Sequence, residues 1–149
     1  MSEMVEMPRK DVPPPLELVK ARIEEALPPD VRGQVEAGEL ALIDTREPDR
    51  FEKGRIAGAV NVPAGVNGVN SHSEDFAAAV ADAAGEKPVL LYCGTGNRSA
   101  RAADALVNEH GVAGARSLIG GIKLWDDLGF PVEGSVELAD EDQPEEAED

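Results

Sequence analysis

Cys93 is the only cysteine in this 149-residue chain, and the residues around it are of the types that make a thiol nucleophilic. An apolar run, residues 89–92, ends at this cysteine, and the loop after it carries two glycines and Arg98. Glycine lacks a Cβ, so backbone N–H groups of the loop can converge above the sulfur. The helix-forming sequence that follows adds the N–H donors and partial positive charge of a helix N-terminus. Because these groups favour the nucleophilic thiolate, the pattern predicts a cysteine enzyme that cradles an anion.

A purely structural, histidine-assisted or metal-bound cysteine fits the sequence less well. A lone cysteine at a strand end is commonly a small buried hydrophobe, but here glycines, an arginine and a helix start follow it at once. A cysteine–histidine mechanism needs a partner base, and neither His72, in a polar loop, nor His110, at a helix end, is a convincing one. Clustered metal ligands and a P-loop lysine are both missing from the sequence. We therefore expect neither a metal nor a cofactor.

The cysteine loop is accompanied by motifs at residues 42–47, 54–63 and 118–132, and together they resemble, in the expected order, those of the rhodanese domain. Residues 42–47 contain an Asp-x-Arg element at Asp44 and Arg46, and residues 54–63 resemble the family's Gly-His-Ile-x-Gly-Ala-x-Asn-(Ile/Val)-Pro element. Residues 118–132 resemble its terminal Gly-Gly, Trp and Gly-x-Pro-Val pattern. The resemblance covers residues 38–134 and includes the cysteine loop. One residue departs from it, because Arg55 stands where the family usually has histidine; we expect a packing or solvated arginine there, with the Cys93 chemistry unaffected.

The resemblance implies a sulfurtransferase in which Cys93 is the catalytic residue. Cys93 would take a sulfane sulfur from a donor such as thiosulfate or a persulfide and pass it to cyanide or a thiol. The implied substrate-binding loop consists of Gly94, Thr95, Gly96, Asn97, Arg98 and Ser99. Its backbone N–H groups would cradle the persulfide, and Arg98 would hold the oxyanion end of the donor. Asp44 and Arg46 would brace the loop, and the partners would be small-molecule sulfur donors and acceptors or a protein persulfide or thiol carrier.

Two alternative functions stay open at this point. Cysteine phosphatases and arsenate reductases of the same fold also combine a thiolate, an amide cradle and an arginine. Phosphatases place five residues between cysteine and arginine, whereas only four residues separate Cys93 from Arg98, and the smaller ring suits a sulfur atom better than a phosphoryl group. The second alternative is a non-catalytic rhodanese-like binding or regulatory module; such modules often lose the cysteine, which this chain retains.

Composition and charge restrict the partners and the compartment. The chain has no apolar run long enough to span a membrane, and its first residues lack the layout of a secretory signal. A single cysteine cannot form an internal disulfide, and a working thiolate needs reducing surroundings, so the cytoplasm is the simplest expectation. The formal net charge of −16 disfavours nucleic acid, whose binding relies on a basic patch.

The sequence divides into one domain and two polar ends. Residues 1–15, which include three consecutive prolines, are predicted to form a flexible segment with a stiff spacer. Residues 16–134 are predicted to form the rhodanese-like domain. Nine of the 30 acidic residues fall in residues 133–149, which leaves a net charge of −7 for residues 1–132. Residues 135–149 are therefore predicted to be a disordered acidic tail, either a solubility device or a docking segment for a basic partner.

The elements predicted for the domain alternate as in an α/β fold. Apolar residues at helical spacing predict a helix over residues 16–27, stopped by Pro28-Pro29, and a second helix capped by Asp30 and ending at Gly38. The predicted strands are residues 40–43, 59–62, 89–92 and 115–118. The predicted helices between and after them are residues 48–53, 74–84, 97–110 and 121–128, with Ser71 and Glu74 as a capping box for the second.

These elements predict a small, mostly parallel sheet covered by helices on both faces, because the strands are continuously apolar. Right-handed crossovers then place the carboxyl ends of the strands along one edge. Asp44, Arg46 and Cys93 all follow predicted strands closely, and open α/β sheets build their sites at this edge. The sequence therefore predicts that the Asp-x-Arg element and the cysteine loop meet at this edge of the sheet.

Overall fold

The structure, a computed structural model, describes residues 14–136, and within them short strands alternate with helices. The strands are β1 (Glu24–Ala26), β2 (Ala41–Asp44), β3 (Gly54–Ile56), β4 (Val60–Asn61), β5 (Val89–Tyr92), β6 (Arg116–Leu118) and β7 (Val132–Gly134). The helices are α1 (Leu16–Ala21), α2 (Pro28–Glu36), α3 (Pro48–Lys53), α4 (Glu74–Ala84), α5 (Asn97–Asn108) and α6 (Gly121–Asp127), and a 3₁₀ helix spans Val66–His72. Nearly all of the predicted flexible segment, residues 1–15, and of the predicted acidic tail, residues 135–149, lies outside the described residues.

Five strands form one sheet in the order β1-β6-β5-β2-β4, and every neighbouring pair is parallel. β3 and β7 form a separate antiparallel pair. β2 and β5 are buried along their whole length, which explains why their sequences are continuously apolar. The predicted α/β class with a mostly parallel sheet is confirmed.

Helices cover both faces of the sheet, as predicted. Alternate residues of β5 point to opposite faces, so Leu91 packs in one buried cluster while Leu90 and Tyr92 pack in the other. The first cluster contains residues of α4 and α5, and the second contains residues of α2 and α6. Within residues 14–136, no helix has the length and apolar character needed to cross a bilayer.

The prediction of a continuous helix over residues 16–27 is wrong. α1 ends at Ala21, and residues 24–26 instead form the edge strand β1, which pairs in parallel with β6. Ile23 packs against the cluster on one face of the sheet, whereas Ala26 lies in the cluster on the other face. Hydrogen bonding to β6 and burial on both faces therefore override a spacing that also suits a helix.

The helix stop predicted at Pro28-Pro29 and two predicted capping residues are also wrong. Pro28 and Pro29 begin α2 rather than stopping a helix, because proline is well tolerated in the first turn, where its missing N–H is not needed. Asp30 consequently lies inside that turn, and the capping position is Leu27. The side chain that caps α4 is Ser73, whose Oγ accepts the Phe76 N–H at 3.1 Å. The residue predicted to cap it, Ser71, is buried in the 3₁₀ helix.

The antiparallel pair β3–β7 is absent from the sequence prediction, and Arg55 lies on it. Arg55 pairs in register with Glu133, and its Nε lies 3.2 Å from Glu133 Oε1. Its guanidinium also stacks over the Phe51 ring and donates to the Phe51 carbonyl at 3.1 Å. The arginine at the usual histidine position is thus a packing residue that joins α3 to β7.

Candidate active site

Cys93 follows the central strand β5 directly and lies at the carboxyl edge of the sheet. β2 is the neighbouring strand, and its last residue, Asp44, pairs in register with Tyr92. Thr45 continues this pairing, because its N–H and its Oγ1 both donate to the Tyr92 carbonyl at 2.9 Å. The parallel register therefore brings the Asp-x-Arg segment beside the cysteine loop.

Two backbone amides point at the sulfur of Cys93. The Gly96 N–H donates to Sγ at 3.1 Å, and the Ser99 N–H donates at 3.4 Å. Both amides belong to the loop and first turn of α5, and the thiol is only 2% exposed. Fixed N–H donors and the positive end of a helix favour negative charge, and both features lie at Sγ of Cys93.

Gly96, one of the two residues whose amides contact Sγ, has a left-handed backbone conformation. Its φ is +99°, and it is the residue that precedes α5. A Cβ at this position would lie 3.0 Å from the Gly120 nitrogen and 3.2 Å from the Leu118 carbonyl oxygen. The cysteine loop is therefore packed directly against the turn between β6 and α6, and a side chain at Gly96 would be crowded as well as strained.

The first turn of α6 donates two hydrogen bonds to backbone carbonyls of the cysteine loop. The Cys93 carbonyl accepts the Ile122 N–H at 2.9 Å, and the Gly94 carbonyl accepts the Lys123 N–H at 3.0 Å. Gly121 has a φ of +58°, and a Cβ there would clash with the Cys93 carbonyl oxygen and lie 2.6 Å from that of Gly94. The terminal Gly-Gly motif is thus explained physically, because it lets α6 donate hydrogen bonds to the loop.

Replacing Gly121 with alanine is expected to destabilise the protein by about 2–4 kcal/mol, since the change adds overpacking to a left-handed backbone. Gly129→Ala is the matched control, because Gly129 also has a positive φ but a Cβ there meets no atom within 4 Å. It should cost only about 1–2 kcal/mol. Urea unfolding measures both values, and equal losses would contradict the proposed packing of α6 on the loop.

Asp44 and Arg46 form a buried ion pair beside the site. Arg46 Nη2 lies 2.8 Å from Asp44 Oδ2, and the exposed fractions of the two side chains are 1% and 0%. The same Nη2 donates to the Gly54 carbonyl at 2.6 Å, and the Asn61 amide donates to both the Asp44 and Arg46 carbonyls. The pair therefore fixes the backbone between β2 and β3, and this segment reaches the cysteine loop through Thr45.

Arg98 lies on the first turn of α5, and its side chain reaches the segment after β2. Its Nη1 is 3.4 Å from the Thr45 carbonyl oxygen and 3.6 Å from Glu47 Oε2. The arginine is buried, with 4% of its side chain exposed, whereas Glu47 is 36% exposed. The structure thus brings together a residue predicted for the site, Arg98, and one that sequence reasoning missed, Glu47.

The other predicted loop residues differ in burial. Gly94 and Ser99 are buried, and Ser99 Oγ lies 2.8 Å from Ser117 Oγ, which ties α5 to β6. Thr95 and Asn97 are half-buried and are the neutral side chains of the loop that solvent reaches. Backbone atoms and two neutral side chains therefore form most of the surface that a ligand would meet.

The two histidines lie at the far end of α5 from the thiol. His72 Nδ1 is 2.8 Å from Glu109 Oε1, and His110 Nε2 is 3.0 Å from the Ser71 carbonyl oxygen. The twelve residues of α5 separate this pair from the cysteine loop, a distance of about 18 Å along the helix axis. Neither histidine is therefore placed to act as a base on Cys93.

A family model described as "Rhodanese-like domain" matches residues 27–128, which is more than half of the chain. The chain belongs to the rhodanese-like domain family. The uncharacterized protein YqhL of Bacillus subtilis is 38% identical over 84 residues, which are 56% of this chain and 59% of YqhL. Thiosulfate sulfurtransferase 16, a chloroplastic protein of Arabidopsis thaliana, is 32% identical over 60% of this chain and 76% of that protein. The matched region thus spans less than two thirds of the length of YqhL and more than two thirds of the length of the plant protein.

Longer proteins contain a similar region. The adenylyltransferase and sulfurtransferase MOCS3 of Drosophila ananassae is 32% identical over 69% of this chain, which is 23% of that protein. Among solved structures, a thiosulfate sulfurtransferase from Pseudomonas aeruginosa has a TM-score of 0.66 at 23% identity, over 82% of this chain and 23% of that chain. RPA3614 of Rhodopseudomonas palustris, described as a possible tyrosine phosphatase, has a TM-score of 0.64 at 24% identity, over 86% of this chain and all of that chain. At these identities the structural likeness shows the fold alone.

This rhodanese-like domain contains site residues that its motifs alone do not reveal. Tyr92 is fully buried, and its hydroxyl accepts the Ile56 N–H at 3.1 Å, which links β5 to β3. Burial raises the pKa of the Tyr92 phenol well above its ordinary value, so it stays neutral at physiological pH. In the sequence, Thr45 is only the variable residue of the Asp-x-Arg motif. In the structure, its hydroxyl and N–H both donate to the carbonyl of Tyr92, the residue before Cys93.

Proposed function

We propose that this rhodanese-like domain is a sulfurtransferase that carries a sulfane sulfur as a persulfide on Cys93. The observation that carries the proposal is the pair of amides, Gly96 and Ser99, that donate to Sγ at the N-terminus of α5. Fixed donors of this kind stabilise a thiolate without a separate base, and they act best in a partly dry site. The 2% exposure of Cys93 fits that requirement.

In the first step, the Cys93 thiolate attacks the outer sulfur of a donor such as thiosulfate. A new S–S bond forms to Cys93, the S–S bond of thiosulfate breaks, and its electron pair leaves on sulfite. In the second step, cyanide or a thiolate attacks the terminal sulfur, the Cys93 S–S bond breaks, and the Cys93 thiolate is regenerated. Neither step needs a proton from a histidine, because both leaving groups depart as stable anions.

The loop residues have separate roles in this proposal. The amides of residues 94–99 cradle the terminal sulfur of the persulfide, as oxyanion-type donors do for developing negative charge. Arg98 contributes positive charge toward the donor, and Thr95 and Asn97 line the entrance. Asp44 and Arg46 are not placed among the reacting groups, since they are bound to each other and to backbone, so we assign them the bracing of the loop.

The partners proposed are a small-molecule sulfur donor and either a small thiol or a protein thiol carrier as acceptor. The names of two relatives, a thiosulfate sulfurtransferase and an adenylyltransferase and sulfurtransferase, support this chemical class. A persulfide is consumed by oxidants and by exchange with disulfides. We therefore propose that the protein acts in a reducing compartment, the cytoplasm.

Loop length discriminates between sulfur and phosphoryl transfer. With four residues between Cys93 and Arg98, the amide ring should be too small for a phosphoryl group in line with Sγ. We expect thiocyanate to form from thiosulfate and cyanide, while hydrolysis of an aryl phosphate is at least about 10³-fold slower, since the misplaced group loses most of the benefit of orientation. A colorimetric assay of both reactions on one preparation tests this.

The control is a variant with one glycine inserted between Thr95 and Gly96. It widens the ring, so sulfur transfer should fall while binding of vanadate improves. If the unmodified protein hydrolysed the aryl phosphate through Cys93 as fast as it transferred sulfur, the sulfurtransferase proposal would be overturned.

A further inference from the structure

The one charged residue of the cysteine loop is paired with a carboxylate outside the loop. Apart from the proposed Cys93 thiolate, the charge in residues 93–99 is that of Arg98. Glu47 Oε2 lies 3.6 Å from Arg98 Nη1, and the carboxylate is the more exposed of the two, at 36% against 4%. A donor approaching from solvent would therefore meet the negative partner of this pair as well as the buried positive one.

The pair lies at the edge of the sheet that carries the thiol. Arg98 is adjacent to Ser99, whose N–H contacts Sγ, and it also contacts the Thr45 carbonyl, one residue along the register from the Asp44–Tyr92 pair. The Arg98–Glu47 pair therefore lies beside the loop whose amides contact Sγ.

The other arginines near this edge have little positive charge to offer. Arg46 is 1% exposed and bound by Asp44 and by the Gly54 carbonyl. Arg101 is 6% exposed, and its Nη1 donates to the Pro14 carbonyl at 2.7 Å. Because both guanidinium groups are buried and held by protein acceptors, neither adds an accessible positive charge to the Arg98–Glu47 pair.

We propose that Glu47 is a specificity-determining residue that disfavours doubly charged sulfur donors relative to donors with at most one negative charge. This inference rests on the proposed sulfurtransferase function. The carboxylate offsets the charge of Arg98, so a dianion such as thiosulfate gains little attraction, whereas the amide cradle still binds the sulfur of an alkyl persulfide. With either donor, the thiolate attacks the outer sulfur, and the electron pair of the cleaved S–S bond leaves on sulfite or on the alkyl thiolate.

The test compares wild-type protein with Glu47→Gln, using thiosulfate and the persulfide of 2-mercaptoethanol as donors and cyanide as acceptor. Removing the charge is expected to raise kcat/KM for thiosulfate about 3- to 10-fold, the scale of a partly screened interaction with a dianion, and to change that for the persulfide less than about 2-fold. The thiosulfate gain should shrink as salt is added, because salt screens exposed charges. Glu47 makes no side-chain hydrogen bond to cap α3, so glutamine should be tolerated there.

Three further variants separate this role from a general charge effect. Glu52→Gln removes an exposed charge from α3, the helix that begins directly after Glu47, and it should leave the ratio of the two donors unchanged. Arg98→Ala leaves Glu47 uncompensated, so it should lower thiosulfate transfer more than persulfide transfer, and Arg98→Lys should restore only part of the loss, because a point charge lacks the planar fork.

The outcomes distinguish failure of this inference from failure of the function. An unchanged donor ratio in Glu47→Gln, or an equal shift in Glu52→Gln, would overturn the role of Glu47 while leaving sulfur transfer intact. If wild-type protein accepted sulfur from neither donor, the proposed function itself would fail, and the inference with it.

Discussion

Replacing Cys93 with serine is expected to lower thiocyanate formation from thiosulfate and cyanide at least about 10³-fold, to the background of the assay. A serine hydroxyl is not ionised near neutral pH, and neither histidine is placed to deprotonate it, because both lie beyond the other end of α5. An oxygen nucleophile also cannot form the persulfide. A continuous thiocyanate assay on the purified variant measures this loss.

The fold should survive this substitution. The Gly96 and Ser99 amides that contact Sγ can donate to a serine oxygen instead, so the melting temperature should change by only a few degrees. Thr95→Ser is the matched control, since it alters the same loop without removing the thiol, and it should retain most activity. Substantial turnover by the Cys93→Ser protein would mean that another group carries the sulfur.

Replacing Asp44 with alanine is expected to destabilise the protein by about 3–5 kcal/mol, the largest stability effect that we predict. The change leaves the Arg46 guanidinium, 1% exposed, as a buried charge that has lost its carboxylate. Because small domains are stable by only about 5–15 kcal/mol, this loss would be a large fraction of the total free energy of unfolding. Urea unfolding monitored by far-ultraviolet circular dichroism gives the free energy.

Two variants make this result interpretable. Asp44→Asn keeps one oxygen that can accept from Arg46, so its loss of stability should be smaller than that of the alanine variant. Glu36→Ala removes the carboxylate of an exposed pair with Arg32, and it should cost less than about 1 kcal/mol. If Asp44→Ala cost no more than Glu36→Ala, the buried pair would not be the brace described above.

The parts of the fold that the sequence predicts are those in which local pattern and tertiary environment agree. Strand β5 and helices α3 and α4 have the predicted bounds, because a continuous apolar run or a capped periodic segment matches its final surroundings. β1 is the opposite case: its three residues include only one apolar side chain, Ala26, so nothing local indicates a strand. Its conformation is set by pairing with β6, which is more than 80 residues away in sequence.

In the candidate site, too, some features follow from the sequence and others depend on tertiary contacts. Cys93, Asp44 and Arg46 are predicted to share one sheet edge, because parallel strands put their carboxyl ends together, and the structure places them there. Side-chain direction, in contrast, does not follow from spacing. The contact of Arg98 with Glu47 depends on the buried path of a long side chain across two elements, and the support of the loop by α6 depends on a close backbone approach at Gly121.

The most direct test of the sulfur-carrier role is the intact mass of the protein after it reacts with a sulfur donor. Purified, reduced protein is incubated with thiosulfate or with the persulfide of 2-mercaptoethanol, desalted and weighed by mass spectrometry. We predict a gain of the mass of one sulfur atom, located on Cys93 by peptide mapping and lost again when cyanide is added. The assignment of Cys93 as the sulfur carrier would be contradicted if the protein kept its original mass with both donors. It would also be contradicted if the Cys93→Ser variant gained as much sulfur as the wild-type protein.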